Sequence, residues 1–279
     1  MPTETGDFKE NPDENEVPLL ELKDVHMRFG KVNALQGVSL KIQKGEIHSI
    51  IGPNGAGKTV MLNCINGLYR PQEGDVFYNG ERINHLSPHR RAQLGMARTF
   101  QKVEVFGGMS VLDNIRLGRH LHFKSGILSG AVYAGKTSRE EIEHREFIES
   151  HIIDLLEIEH IRHQPVGMLP YGLQKRVELG RALALEPELL ILDEPLAGLN
   201  LEEVEDMARF IIDVNEEPRW RVTCLLVEHD MGVVMDLSAQ IFVLNFGNMI
   251  VDGTPDEVQA HPEVIKAYLG EEDLYATRR

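Results

Sequence analysis

Gly52-Pro53-Asn54-Gly55-Ala56-Gly57-Lys58-Thr59 is the stretch that decides the fold. It follows the apolar run Ile47-His48-Ser49-Ile50-Ile51 and precedes Val60-Met61-Leu62-Asn63-Cys64-Ile65, which suits a helix. The pattern G-x-x-x-x-G-K-[ST] between a strand and a helix is a phosphate-cradling loop. Its glycines keep Cβ atoms out of a loop that must close round an anion and reach positive φ. The N–H groups of the loop converge on that anion, and the helix opening near Lys58 adds its positive dipole end. Lys58 is expected to reach the β- and γ-phosphates of a nucleoside triphosphate, and the Thr59 hydroxyl to ligate Mg²⁺. Hydrogen bonds to charged groups contribute roughly 1.5–3 kcal/mol each, so several converging amides supply useful affinity.

A chain of 279 residues has room for one nucleotide-binding domain with an inserted subdomain. Its net charge of −15 argues against a nucleic-acid partner, because phosphate neutralisation needs clustered Lys and Arg. Cys64 and Cys224 fall in core-like runs without C-x-x-C spacing and read as reduced core residues of a cytosolic protein. No apolar run approaches the ~20 residues that span a bilayer. Residues 1–17 are acidic and polar, unlike a secretory signal, and read as a disordered extension. Any membrane role is therefore expected to be peripheral.

Taken in order, Leu19 to Phe29 and Gly37 to Ile42 read as strands. The ring of Phe29 could stack on a base or simply belong to the core. Asn79-Gly80 signals a hairpin, so part of the sheet is antiparallel. His85 to Ala97 reads as a short helix entered through Ser87-Pro88. A helical pattern starts at Met109, and Gly126 to Gly135 is irregular. Ser138-Arg139-Glu140-Glu141 has the form of a capping box opening a helix with Ile142, Phe147, Ile148, Ile152 and Leu155 on one face.

Leu189-Leu190-Ile191-Leu192 fits a parallel strand buried on both faces, and it ends in Asp193-Glu194. Acidic residues there lie where α/β sheets bind ligands. With Lys58 in the same chain, Asp193 is the expected Mg²⁺ partner through water. Glu194 is then the base that polarises the attacking water, a role worth about 10²–10⁴-fold. Val222 to Val227 is another buried strand, expected beside the first, and it ends in Glu228-His229-Asp230, so His229 could reach a γ-phosphate. Ile241–Leu244 and Met249–Val251 suggest a hairpin around Phe246-Gly247-Asn248, and Thr254-Pro255-Asp256-Glu257 caps a terminal helix.

This ordered set resembles the ATP-binding subunit of an ABC transporter over roughly residues 19–270. The resemblance implies an α/β P-loop NTPase fold of the ABC ATPase type. In it, a mostly parallel core sheet carries an antiparallel β subdomain and an inserted α-helical subdomain. The cassette would span 18–270, with the helical part at about 102–185 and a tail at 271–279. ATP and Mg²⁺ are implied as ligands, with the phosphate loop Gly52, Pro53, Asn54, Gly55, Ala56, Gly57, Lys58 and Thr59. Gln101 matches the glutamine loop and is implied at the metal and at the reacting phosphate. Glu194 and His229 match the catalytic glutamate and switch histidine, Asp193 the magnesium aspartate, and Phe29 the adenine-stacking aromatic. Leu169–Leu173 matches the signature segment, with Leu169 and Gly172 implied to meet the nucleotide of a partner subunit.

Two departures stand out. Where the family has Leu-Ser-Gly-Gly-Gln, this chain has Leu169-Pro170-Tyr171-Gly172-Leu173, and Pro170 offers neither a hydroxyl nor a backbone N–H. The D-loop aspartate is replaced by Asn200. The wording of Ala97–Gln101 and of Asn245–Asp273 is similar to the subunits that energise branched-chain amino acid import. That similarity implies a peripheral ATPase on the cytoplasmic face of the membrane. It would pair head-to-tail with itself or a paralogue, beneath two transmembrane permease subunits and indirectly served by an external solute-binding protein. Import of another solute such as urea or amides, a non-transport ABC ATPase and a P-loop kinase remain the competing readings.

Overall fold

A computed structural model describes residues 17–122 and 136–266; the 1–16 stretch, Gly126–Gly135 and the 271–279 tail lie outside the described residues. The chain opens with β1 (Leu20–Phe29), β2 (Val32–Ile42), β3 (Ile47–Ile51) and α1 (Lys58–Asn66). Next come β4 (Glu73–Tyr78), β5 (Glu81–Arg82), α2 (Pro88–Gln93) and β6 (Met96–Arg98). The helices α3 (Val111–Gly118), α4 (Lys136–Phe147) and α5 (Tyr171–Leu183) follow. The chain then alternates β7 (Leu189–Asp193), α6 (Leu201–Glu216), β8 (Thr223–Val227) and α7 (Met231–Leu237) before β9 (Gln240–Asn245), β10 (Asn248–Gly253) and α8 (Pro255–Ala260).

Two sheets result. One is antiparallel, in the order β2-β1-β4-β5. The other, ordered β10-β9-β3-β8-β7-β6, is parallel except for the β9–β10 hairpin at its edge. The core strands are buried on both faces, and the period of two sorts their side chains. Leu190, Leu192, Cys224 and Leu226 pack towards the helices, whereas Leu189, Ile191, Leu225 and Val227 pack towards α1 and the antiparallel sheet. Each fully buried Leu or Ile contributes about 1.5–3 kcal/mol relative to exposure.

Both expected hairpins form with both central residues at positive φ, Asn79 at 49° with Gly80 at 77° and Phe246 at 44° with Gly247 at 79°. That is the turn geometry whose twist matches the flanking strands. The α8 cap has both reciprocal bonds of the capping box, between Thr254 and Glu257.

Three expectations need correction. The segment His85–Ala97 is not one helix: α2 stops at Leu94, Gly95 turns at φ 92°, and Met96-Ala97-Arg98 pairs with Leu189–Ile191 as the edge strand β6. A three-residue strand carries too little periodicity to be seen in sequence. The second strand begins at Val32 instead of Gly37, because Gly37 (φ 72°) lies inside β2 where the pairing register with β1 shifts. The capping box at Ser138 fails as well, since α4 is already under way at Lys136. Beyond Phe147 the chain winds into a π-helical turn, Ile148–Ile153, which buries Ile148, Ile152 and Ile153. A π turn shifts the helical phase, and Ile142 ends up 52% exposed.

One buried charge holds α1 in place. Arg91 is fully buried, and its guanidinium donates to the carbonyls of Cys64 (2.7 Å), Ile65 (2.5 Å) and Ile83 (2.8 Å). It thereby adds donors to two carbonyls in the last turn of α1, where helical partners run out, and ties that end to Ile83. Arg91→Met keeps the volume but removes the guanidinium's bonds to all three carbonyls, so it should lower unfolding free energy by about 2–4 kcal/mol in urea titration. An unchanged midpoint would show the bonds to be dispensable.

Candidate functional site

The phosphate loop is held in shape by backbone approaching backbone. A Cβ at Gly52 (φ 151°) would sit 2.1 Å from the Leu244 carbonyl oxygen, and one at Gly57 (φ 109°) 2.5 Å from that of Ala34. No other residue type fits either position. Gly57 is also the N-cap of α1, so the helix's free N–H groups open into the loop. Lys58 Nζ donates to the Gly52 carbonyl at 2.5 Å and to that of Pro53 at 3.3 Å. Its ammonium thus lies along the loop, where incoming phosphate oxygens can replace those carbonyls.

Around the loop is an open pocket of about 400 Å³ lined by Asn54 to Val60, by Val32 to Ala34 of β2, and by Gln101, Glu194 and Phe246. Gln101 Nε2 donates to Glu194 Oε2 at 2.7 Å, so the glutamine and the acid expected at the reacting end do meet. Glu194 itself stands at φ 50°, a left-handed conformation that costs about 1–3 kcal/mol in a non-glycine residue. It is held there by its N–H on the Val227 carbonyl (2.9 Å) and by Lys175 Nζ on its own carbonyl (2.9 Å).

Asp193 lies just behind, buried, with Oδ2 2.7 Å from Arg98 Nη2. Arg98 also donates to Asn63 Oδ1 of α1 (2.8 Å), which ties β6, β7 and α1 together. Thr59, Gln101 and Asp193 offer the hard oxygen donors that Mg²⁺ prefers. Among the described residues no cluster of three His, Cys, Asp or Glu side chains could cage a metal by itself.

Other expected residues lie apart from the pocket. His229 follows β8, which pairs with β7 so that Val227 faces Asp193, but its ring is 66% exposed and is not among the pocket-lining residues. Leu169 and Gly172 sit at the start of α5, also outside the pocket of their own chain. Pro170 is the N-cap of α5 and forms no side-chain cap. The ring of Phe29 packs edge-on against Tyr69 at 5.3 Å between centroids instead of lining the pocket.

Residues 35–197 match the family described as ABC transporter, well over half of the chain. The chain belongs to that family. As an ABC cassette it is an ATPase. Residues 248–273 further match the family described as branched-chain amino acid ATP-binding cassette transporter. It is 40% identical to the high-affinity branched-chain amino acid transport ATP-binding protein BraF of Pseudomonas aeruginosa over 254 residues, covering 91% of this chain and 98% of that one. It is 37% identical to LivG of Escherichia coli, a protein of the same description, with the same coverage. Among solved structures it resembles an ATP-binding cassette in its ADP conformation, with a TM-score of 0.77, 30% identity and coverage of 91% and 99%. It also resembles a dimeric cassette in a post-hydrolysis state with ADP and Pi, with a TM-score of 0.70, 26% identity and coverage of 85% and 98%.

Three supports of the cassette's site carried no sequence signal. Lys175, buried on α5, donates to the carbonyls of Glu194 (2.9 Å) and Pro195 (2.8 Å), and burial lowers its pKa. Glu178, also buried on α5, accepts from the N–H groups of Phe100 (3.5 Å) and Glu104 (3.2 Å), and so holds the two ends of the Gln101 segment. Glu228 accepts from the N–H groups of Leu196 (2.8 Å) and His229 (3.1 Å). A charged residue facing inward on a helix, or following a strand, reads in sequence as surface. Asn200 does what an aspartate would at the start of α6: its side chain accepts from Glu203 N–H at 3.0 Å in a full capping box.

Lys175→Met should remove its bonds to the two carbonyls, leaving that of Glu194 with the Ala197 N–H alone, and free the strained loop, lowering ATP turnover about ten-fold or more at unchanged fold, as read by circular dichroism. Wild-type turnover would show that Lys175 has no hold on Glu194. Burial raises Glu228 above its ordinary 4.5, so the folded state binds that proton more tightly than the unfolded chain. Stability therefore falls as pH rises from 4.5 through the folded-state value. Glu228→Gln should flatten that part of the pH profile of urea midpoints, and an unaltered slope would place its origin elsewhere.

Proposed function

We propose that this chain hydrolyses ATP to drive branched-chain amino acid import, as a peripheral subunit on the cytoplasmic face of a membrane. The observation that carries the catalytic part is the meeting of Lys58, Thr59, Gln101 and Glu194 in one pocket, with Gln101 bonded to Glu194. The solute rests on the match at residues 248–273 and on the relatives' described transport. Import of urea, amides or another solute by the same ATPase is the runner-up.

The phosphates lie on the amides of Asn54 to Thr59, with Lys58 on the β- and γ-phosphates. Glu194 takes a proton from a water whose oxygen attacks the γ-phosphorus; the bond to the bridging oxygen breaks and leaves ADP and phosphate. Gln101 positions that water and Glu194, and His229 contacts the γ-phosphate from the end of β8. Thr59, Gln101 and Asp193 would hold Mg²⁺, which would supply charge neutralisation on the phosphates. Gly172 and the α5 N-terminus close over the nucleotide of a second cassette set head-to-tail, leaving Pro170 without a donor to contribute. Met168, Tyr171 and Leu201, exposed by 81%, 42% and 76%, surround that edge as apolar surface for such a partner.

The units follow from this division of labour: a cassette at 18–270, with a helical segment at about 102–185 as the lever towards two permease subunits that an external binding protein supplies. A groove of about 370 Å³ lined by Phe106, Leu117, Arg98 and Glu178 sits beside that segment and suits a permease helix. Glu178 also holds the backbone of the Gln101 segment, so the groove and the reacting end share a support. Among the described residues no helix is long and apolar enough to cross a membrane.

Glu194→Gln should cut turnover by about 10²–10⁴-fold while ATP still drives pairing, read by sedimentation of the purified chain. Normal turnover, or no ATP-dependent pairing, would defeat the assignment. In membrane vesicles carrying its permease and binding protein, leucine uptake should depend on ATP and fall with the same variant. Uptake of urea without leucine would transfer the role to the other solute.

A further inference from the structure

We infer that Glu203, on the first turn of α6, is a positioning residue of the paired assembly: its carboxylate, seated against Gly172, holds a negative charge at the start of α5 and so restrains ATP-driven pairing. This rests on the proposal that the α5 N-terminus closes over the nucleotide of a second cassette. The contact is close. A Cβ at Gly172 would stand 2.2 Å from Glu203 Oε1 and 2.5 Å from its carboxyl carbon, and Gly172 is buried in the single chain. The lack of a side chain at 172 is what lets the carboxylate sit there.

Two features keep the carboxylate in place. Its Oε2 accepts from the Asn200 N–H at 3.0 Å while the Glu203 N–H donates to Asn200 Oδ1 at 3.0 Å, so the capping box that opens α6 also aims the acid at α5. In the reverse direction Tyr171, at the start of α5, lies over Gly198, where a Cβ would stand 3.2 Å from Cε1 of the ring. The two turns are thus interlocked, each side chain seated on the other's glycine. The first cations of α5 are engaged elsewhere: Lys175 donates to the carbonyls of Glu194 and Pro195, and Arg176 pairs with Asp206 at 2.5 Å. What the turn offers a second chain is its free N–H groups and the positive end of the helix dipole, because Pro170 provides no side-chain cap. A carboxylate beside those groups stabilises α5 in the single chain and repels the phosphates that a partner brings up to it.

The test is ATP-driven pairing of the full-length chain, followed by sedimentation in the Glu194→Gln background so that hydrolysis does not undo the pairs. Glu203→Gln keeps the shape and an oxygen for the Asn200 N–H, and it removes only the charge. Pairing should tighten about five-fold at low salt, the size of one charge acting at a helix end, and the gain should shrink to within about two-fold at roughly 0.5 M NaCl. Glu202→Gln, which removes the same charge from the exposed neighbouring position, should change pairing by less than about two-fold. Unchanged or weaker pairing in Glu203→Gln, an equal gain in Glu202→Gln, or a gain that survives high salt would overturn the inference. If the Glu194→Gln chain does not pair with ATP at all, or pairs equally well once Lys58→Ala is added, the reading of the α5 edge fails first, and this inference with it.

Discussion

Everything at the site depends on two places where backbone meets backbone without room for a side chain. Gly52 lies against the Leu244 carbonyl at the end of β9, and Gly57 against the Ala34 carbonyl in β2. Between them the phosphate loop is gripped by both sheets at once, the parallel one through β9 and the antiparallel one through β2. A loop so held needs little reordering when an anion arrives, which leaves more of the binding free energy for affinity. The same grip brings the β9–β10 turn to the rim of the pocket, where Phe246 sits.

The reacting end is organised differently, by buried charges reaching across elements. Lys175 and Glu178 extend from α5 to the Glu194 turn and to the Gln101 segment, so the helix that begins with the signature residues holds both groups that meet in the pocket. A displacement of α5 would move Gln101 and Glu194 together. That gives a physical route between the edge facing a second cassette and the hydrolytic groups, through side chains that are themselves bonded at both ends.

Much of this was legible because the informative patterns are local. The phosphate loop, the buried runs at Leu189–Asp193 and Val222–Val227, the Asn79-Gly80 turn and the Thr254 cap each draw on a few neighbouring residues. What was hidden depends on distance. Met96–Arg98 becomes a strand only because Leu189–Ile191 lies beside it, and Arg91 and Lys175 look like surface charges until the carbonyls they serve are brought to them. The π turn after Phe147 changes phase inside what reads as one continuous helix, so Ile142 does not share the buried face of Ile148 and Ile152. In sequence Phe246 is only part of a turn, because Val32–Ala34 and the phosphate loop, which share its pocket, lie about two hundred positions away in the chain.

Amide hydrogen exchange on the full-length chain tests the preformed, shared site most directly. Added ATP should slow exchange at the amides of 54–60 at concentrations where the chain is monomeric, and at those of 171–174 only once pairs form. Unchanged exchange in the loop, or protection of 171–174 in the monomer, would contradict a cradle on one molecule closed by the α5 edge of another.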